Sequence, residues 1–263
     1  MRVGVFRGEE TDDRVNAALD AFTQGLAYLG VDHFTSFQYV PCDVAVVWGI
    51  SSLKFPHTSY RDFVREQNPN TIVLERGFVK RDKYYAAGWG DTGGRADFCN
   101  DDVPADRWNR LGIKLKPWKE DGDYILILGQ IPWDTSVQHT DYVKWVCNVI
   151  DLFKQQTSDP IVFRNHPLLS PGLGPFDGAY ASTGSLEKDL EGAAVAVTMS
   201  STSAVDACIA GVEVAPADMR CMVPPGRLME REKWAHALAY CQWRLHEFEK
   251  GLAFKHLVEG RGL

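Results

Sequence analysis

Ala194-Val195-Ala196-Val197-Thr198-Met199-Ser200-Ser201-Thr202-Ser203-Ala204-Val205-Asp206-Ala207-Cys208-Ile209-Ala210-Gly211 reads as one strand handed directly to one helix. Residues 194–198 are an apolar run of strand length, and 203–210 form a short helix that Gly211 closes. Between them lie Ser200, Ser201 and Thr202. The first amides of a helix lack intrahelical partners and carry partial positive charge, so hydroxyls at this junction suit a phosphate. The same residues would also serve as an ordinary helix cap, which contributes about 1 kcal/mol. This stretch alone leaves both readings open.

The strands upstream share its design. Residues 161–164 form a strand that ends in Asn165-His166-Pro167, and 124–128 a buried strand that ends in Gly129-Gln130, with Asp134 and Ser136 just beyond. A helix over 141–154 carries Val143, Val146, Val149, Ile150 and Phe153, while 185–190 read as a helical turn and 213–215 as a short strand. In open α/β sheets ligands bind beyond the carboxyl ends of the strands. Three such ends with polar residues in one half point to a nucleotide site. A histidine fixed before proline can donate to a phosphate or a nucleoside oxygen, or it can simply pack beside Pro167.

Further outward, the amino-terminal half shows the same alternation. Strands are expected at 3–6, 33–37, 43–48 and 71–74, with the Val44-Ala45-Val46-Val47-Trp48 core buried on both faces. Thr11 is the expected N-cap of a helix over 12–29, where Val15, Leu19, Phe22, Leu26 and Leu29 recur at helical spacing before Gly30. A shorter helix is expected over 59–67. From 75 to 106 the rhythm breaks, around the glycine-dense Gly88-Trp89-Gly90-Asp91-Thr92-Gly93-Gly94. The basic run 107–119, with five Lys and Arg and no acid, then leads to the expected boundary. The expected fold class is α/β, with two Rossmann-like lobes and a cleft between them. Residues 1–118 form the first lobe; 119–263, including helices over 227–257, form the second.

Composition narrows the function. The chain has 263 residues, 45% hydrophobic and 24% charged, which is ordinary for a globular protein. Its 35 acids and 28 bases give a formal charge of −7, so it does not coat DNA by bulk charge, and only a local basic patch could serve. No apolar run is long enough for a membrane span. The amino terminus reads straight into a strand, and the six cysteines are scattered without a C-x-x-C, so a reduced, cytoplasmic protein is expected. There is no P-loop, G-x-S-x-G or H-E-x-x-H motif. Gly88-x-Gly90-x-x-Gly93 matches the dinucleotide fingerprint as a string, but no tight strand-to-helix turn holds it.

Leu128-Gly129-Gln130, then Arg164-Asn165-His166-Pro167, then Ser200-Ser201-Thr202 with Asp206-Ala207 and Ala210-Gly211 together resemble the nucleotide-binding lobe of GT-B sugar transferases. The resemblance is to the capsule-polysaccharide group of Kdo transferases and to bacterial sialyltransferases with HP and SS/T motifs. It covers about half the chain, and the tail from Trp234 through Trp243, Glu247 and Gly251 is similar to that group as well. The stretch Leu74-Glu75-Arg76-Gly77-Phe78, with Arg81, Tyr84, Trp89 and Gly94-Arg95-Ala96-Asp97-Phe98, resembles bacteriophage-type relatives.

The resemblance implies a GT-B arrangement and a glycosyltransferase using a UDP- or CMP-linked sugar as co-substrate, with no other cofactor and no metal. Gln130, Arg164, His166, Ser200, Ser201 and Thr202 would hold the donor. The related transferases carry an acidic pair before glycine, and the second acid is the base. Here that position is Arg76, which cannot take a proton. The base role therefore falls to Glu75, Asp97 or Asp91, with an ion pair to Arg76 or Arg81 as the structural alternative for Glu75. Arg81, Tyr84, Trp89, Arg95, Lys114 and Lys116 would meet the acceptor. That acceptor is either a hydroxymethylated pyrimidine in phage DNA, in the cytoplasm of an infected bacterium, or a capsule-type polysaccharide. A solvated face is the alternative for the basic run. Two other functions fit the same fold: a nucleotide-sugar epimerase or hydrolase, and a non-catalytic nucleotide-sugar-binding protein.

Overall fold

Each apolar run of the amino-terminal half becomes a strand in the computed structural model, which describes residues 1–8 and 12–263. In order come β1 (Arg2–Phe6), α1 (Asp13–Tyr28), β2 (Asp32–Ser36), β3 (Val44–Trp48), α2 (Tyr60–Gln67) and β4 (Thr71–Arg76). Thr11, the expected cap, lies outside the described residues. Asp12 caps α1, its side chain accepting the Arg14 amide at 2.9 Å. β3 is buried along its whole length. Val44, Val46 and Trp48 enter one core with Leu19 and Phe22 of α1, while Ala45 and Val47 enter another with Phe6 and Val64. That two-residue alternation between two apolar layers is why the run carries no polar face.

The glycine-dense segment was expected to be irregular. It contains β5 (Tyr85–Trp89), which runs antiparallel to β4, pairing Tyr85 with Arg76 and Trp89 with Ile72. Gly88 lies inside that strand, which disposes of the dinucleotide string. The helix α3 (Asp106–Leu111) follows.

The second unit is built from β6 (Tyr124–Leu128), α4 (Tyr142–Gln156), β7 (Ile161–Arg164), β8 (Tyr180–Ala181), α5 (Leu186–Gly192), β9 (Ala193–Thr198), α6 (Ser203–Ile209) and β10 (Glu213–Pro216). Its strands are all parallel, in the order β10-β9-β6-β7-β8.

The tail forms α7 (Arg231–Tyr240), β11 (Gln242–Trp243), α8 (Leu245–Glu249) and α9 (Leu252–Arg261). It was expected to belong to the second lobe, but it folds into the first unit. The two units are Met1–Gly112 with Arg231–Leu263, and Ile113–Glu230. β11 pairs with β5, so the first sheet runs β11-β5-β4-β3-β1-β2. Trp243, Phe248, Phe254 and Leu257 join the core of α1, and Trp89 Nε1 donates to the Leu257 carbonyl at 3.2 Å. At Gly25 a Cβ would sit 1.9 Å from the Phe248 carbonyl oxygen, so only glycine allows α1 and α8 to approach this closely.

The boundary expected between 118 and 119 falls instead between Gly112 and Ile113. Residues 113–119 belong to the second unit because the Lys116 and Lys119 amides donate to the carbonyls of Ile209 and Gly211. Among the described residues no helix is long and apolar enough to cross a membrane.

Candidate functional site

The second sheet places its first strand in the middle. The chain enters at β6, moves outward to β7 and β8, then returns to the other side of β6 for β9 and β10. The order therefore reverses between β6 and β9, and open α/β sheets bind ligands beyond the carboxyl ends at such a point. Gln130 leaves β6 there and is buried at 6% exposure.

Its side-chain amide ties the two strand ends together. Oε1 accepts the Ser200 amide at 2.8 Å and the Thr198 hydroxyl at 3.2 Å. Nε2 donates to Ser136 Oγ at 3.1 Å and to Ser200 Oγ at 3.3 Å. The Gln130 amide itself donates to the Tyr142 hydroxyl at 2.8 Å. Burial pushes that phenol far above its usual pKa and outweighs the Gln130 bond, so it stays protonated.

The hydroxyls at the β9 exit are used in one direction only. Ser200 Oγ accepts from Gln130, and Ser201 Oγ accepts the Ser203 amide at 3.2 Å. Neither hydroxyl proton is donated to a described residue, and neither the hydroxyl nor the amide of Thr202 has a described partner. Four donors thus remain available around one strand end.

β7 ends beside β6, with the Gly129 amide donating to the Arg164 carbonyl at 2.8 Å. His166, half-buried, accepts the Leu168 amide on Nδ1 at 3.2 Å, which puts the proton of a neutral ring on Nε2. Arg164 behaves differently from expectation. Its Nη1 lies 2.7 Å from buried Asp189 and 2.8 Å from the Gly184 carbonyl, so it anchors α5. Asp189 lies twenty-five residues further along, with no local sign of the pairing.

Sequence reasoning missed the β10 exit. The Ala217 and Asp218 amides donate to the carbonyls of Thr198 and Met199 at 2.9 Å. The Asp218 carboxylate lies 3.6 Å from His139 and 3.8 Å from Arg220, whose Nε is buried with no hydrogen-bond partner among the described residues. A short strand followed by an acid carries no signal that would have singled these residues out.

In the first unit, Glu75 lies at the carboxyl end of β4 beside Gly49, which follows β3. Gly49 has φ +61°, and a Cβ there would stand 3.4 Å from both Glu75 Oε2 and Arg61 Nη1. Glu75 Oε1 accepts the Arg76 amide at 2.8 Å, while the Arg76 side chain turns to Asp12 at 3.4 Å.

Asp91 and Asp97 are not brought to Glu75. The Gly90 amide donates to the carbonyl of Thr71, the first residue of β4, and the Trp89 amide to the Asp97 carbonyl. Both acids therefore sit at the amino edge, about 13 Å along the strand from Glu75. Burial pushes the Asp97 carboxyl up, but the Cys99 amide and Arg261 outweigh it and hold it below the usual range. That suits an ion pair and weakens it as a base.

The expected acceptor residues also separate. Arg81 and Tyr84 precede β5 at the carboxyl edge, whereas Arg95 lies in the loop of the amino edge. Trp89 is a core residue, 1% exposed. Lys114 and Lys116 belong to the second unit.

The chain is similar to a beta Kdo 2,7 transferase, KpsC of Thermosulfurimonas dismutans, at 15% identity and a TM-score of 0.57, over 97% of this chain and 99% of that one. It is also similar to the beta Kdo 2,4 transferase KpsC of the same organism, at 14% identity and a TM-score of 0.56, over 90% of each chain. No protein-family model and no curated protein matches the sequence. Its fold is the GT-B fold. At these identities the likeness reaches no further than the fold, and function has to be argued from the site.

Proposed function

We propose that this GT-B protein is a glycosyltransferase that moves a sugar from a UDP- or CMP-linked donor to a hydroxyl group of a saccharide. The observation that carries this reading is the donor cluster at the β9 exit. Gln130 and the backbone occupy the accepting side of Ser200 and Ser201, which leaves their O–H groups, with the N–H and O–H of Thr202, directed at no described acceptor. Preorganised donors of this kind stabilise the negative charge that grows on a phosphate leaving group. His166, whose Nδ1 accepts the Leu168 amide, carries its ring proton on Nε2 at the end of β7, on the other side of β6 from β9. Glu75 is the base in this reading, because it alone of the three acids lies at a carboxyl strand end.

A saccharide acceptor is favoured over DNA by what becomes of the basic run. Arg107 is buried against Glu247, Arg110 pairs with Asp106 at 2.7 Å, and Lys119 Nζ donates to carbonyls of Leu190, Glu191 and Ala193. Three of the run's five cations are thus engaged by groups of the protein itself, which weakens the run as a track for a phosphate backbone.

The test is a melting-temperature screen against CMP, UDP, GDP and their sugars, since a ligand that binds the folded state raises the transition. One nucleotide is expected to stabilise the protein. Ser201→Ala is expected to weaken its binding about tenfold, the scale of one hydrogen bond to a charged group. Unaltered affinity in both Ser201→Ala and His166→Ala would remove the donor site. Donor turnover without any acceptor would favour an epimerase or hydrolase.

A further inference from the structure

The first unit contains a cleft of about 310 Å³ that the donor site does not use. Its lining includes Tyr84, Arg107, Arg110, Arg244, His246 and Glu247. The floor is already neutral. Arg107 meets Glu247 with two bonds, at 2.7 and 3.1 Å, donates to the carbonyls of Ala239 and Gln242, and lies 3.9 Å from the centre of the Trp243 ring. Glu247 also accepts the Arg244 amide at 2.8 Å, so its two oxygens are occupied.

The rim is not neutral. Arg110 is balanced by Asp106. Arg244 pairs with no acid among the described residues: its Nε donates to the Tyr84 hydroxyl at 3.0 Å, and its guanidinium stands 5.1 Å from the Tyr84 ring centre. Its two terminal nitrogens have no partner among the described residues. Exposed His246 lies beside it, and Lys80 Nζ is fixed to the carbonyl of Leu111, another residue of the lining. A guanidinium held by one edge, with the other edge open, has the geometry of a fork for one carboxylate or phosphate.

The place of the cleft in the sheet gives it meaning. Tyr85, the first residue of β5, pairs with Arg76 at the end of β4 and with Trp243 at the end of β11. Arg244 therefore leaves the sheet at the same carboxyl edge as Glu75, two strand spacings away, or roughly 10 Å.

We propose that this cleft binds one anionic group, a phosphate or a carboxylate, of a small sugar, with Arg244 as the residue that grips it. Only the further step, that this sugar is the molecule Glu75 deprotonates, rests on the transferase reading.

The full-length protein is titrated by calorimetry, without nucleotide, with glucose 6-phosphate, glucuronate and glucose. At least one of the two anionic sugars is expected to bind and glucose not to, and the arm that binds identifies phosphate or carboxylate. Arg244→Gln is expected to weaken that binding at least tenfold. Ser201→Ala, at the donor site, and Arg227→Gln, in the second unit, should leave it unchanged. His246→Ala, at a side chain on the exposed rim, gives a second reading should Arg244→Gln fold poorly, and a severalfold loss is expected there too. Equal binding of glucose, no binding of either anionic sugar, or undiminished affinity in the cleft variants would overturn the proposal. A protein that binds the anionic sugar through Arg244 but binds no nucleotide would keep the cleft and remove the transferase reading.

Discussion

Glu247 shows how the fold controls a single charge. Burial alone pushes its carboxyl up, yet the Arg107 bonds and the Arg244 amide outweigh it and hold the pKa below the usual range. A carboxylate depressed in the folded state contributes stability above its unfolded pKa, about 4.3, and loses that contribution as pH falls through the folded value. Glu247→Gln should therefore lower the melting temperature at neutral pH and flatten its decline below about pH 4. Thermal melts of both proteins across that range check this; an unchanged acid slope would count against it. Single side chains are also where a sequence is least evenly legible. Gln130 and Ser200 were singled out separately, and the structure joins them by a hydrogen bond. Arg164 was given the same role on the same grounds, but an acid from another element claims it. Position at a strand end is visible in a sequence, whereas the partner that neutralises a side chain there is not.

At the element scale, strands and helices with a clear period were legible. β3 announces itself by five apolar residues in a row, and α1 by its three-and-four spacing. β5 was hidden because Gly88 interrupts it and both its faces are buried, so no alternation marks it. β11 is only two residues long and exists because β5 offers it an edge. The close approach of α1 and α8 depends on Gly25, where α1 meets the carbonyl of Phe248. The obstacle there is backbone, which cannot rotate away. Gly25→Ala is expected to destabilise the protein by about 1–3 kcal/mol, or more if the helices cannot separate. Urea unfolding measures it; a neutral result would mean that α8 can shift at no cost.

For the whole molecule, the alternation of strands and helices gave the α/β class, and the charge run suggested a linker. The run misled because Arg107 is a core residue of the first unit while Lys116 and Lys119 are stitched into the second. The tail was misassigned because its helices carry no mark of which sheet they cover. A chain ending at Glu230 would lack Trp243, Phe248, Phe254 and Leu257 from the first unit's core. In such a chain Met1–Gly112 is expected to become protease-sensitive while Ile113–Glu230 resists. Limited proteolysis read by mass spectrometry checks this, and a resistant amino-terminal fragment would contradict it.

The return of the chain to the first sheet also sets an order of events during synthesis. β5 emerges from the ribosome well before β11, so one flank of that sheet stays unpaired while the entire second unit is translated. Bare strand flanks invite pairing with other chains. Slow translation of the intervening stretch would lengthen that vulnerable interval, and chaperone demand in the cell should follow it.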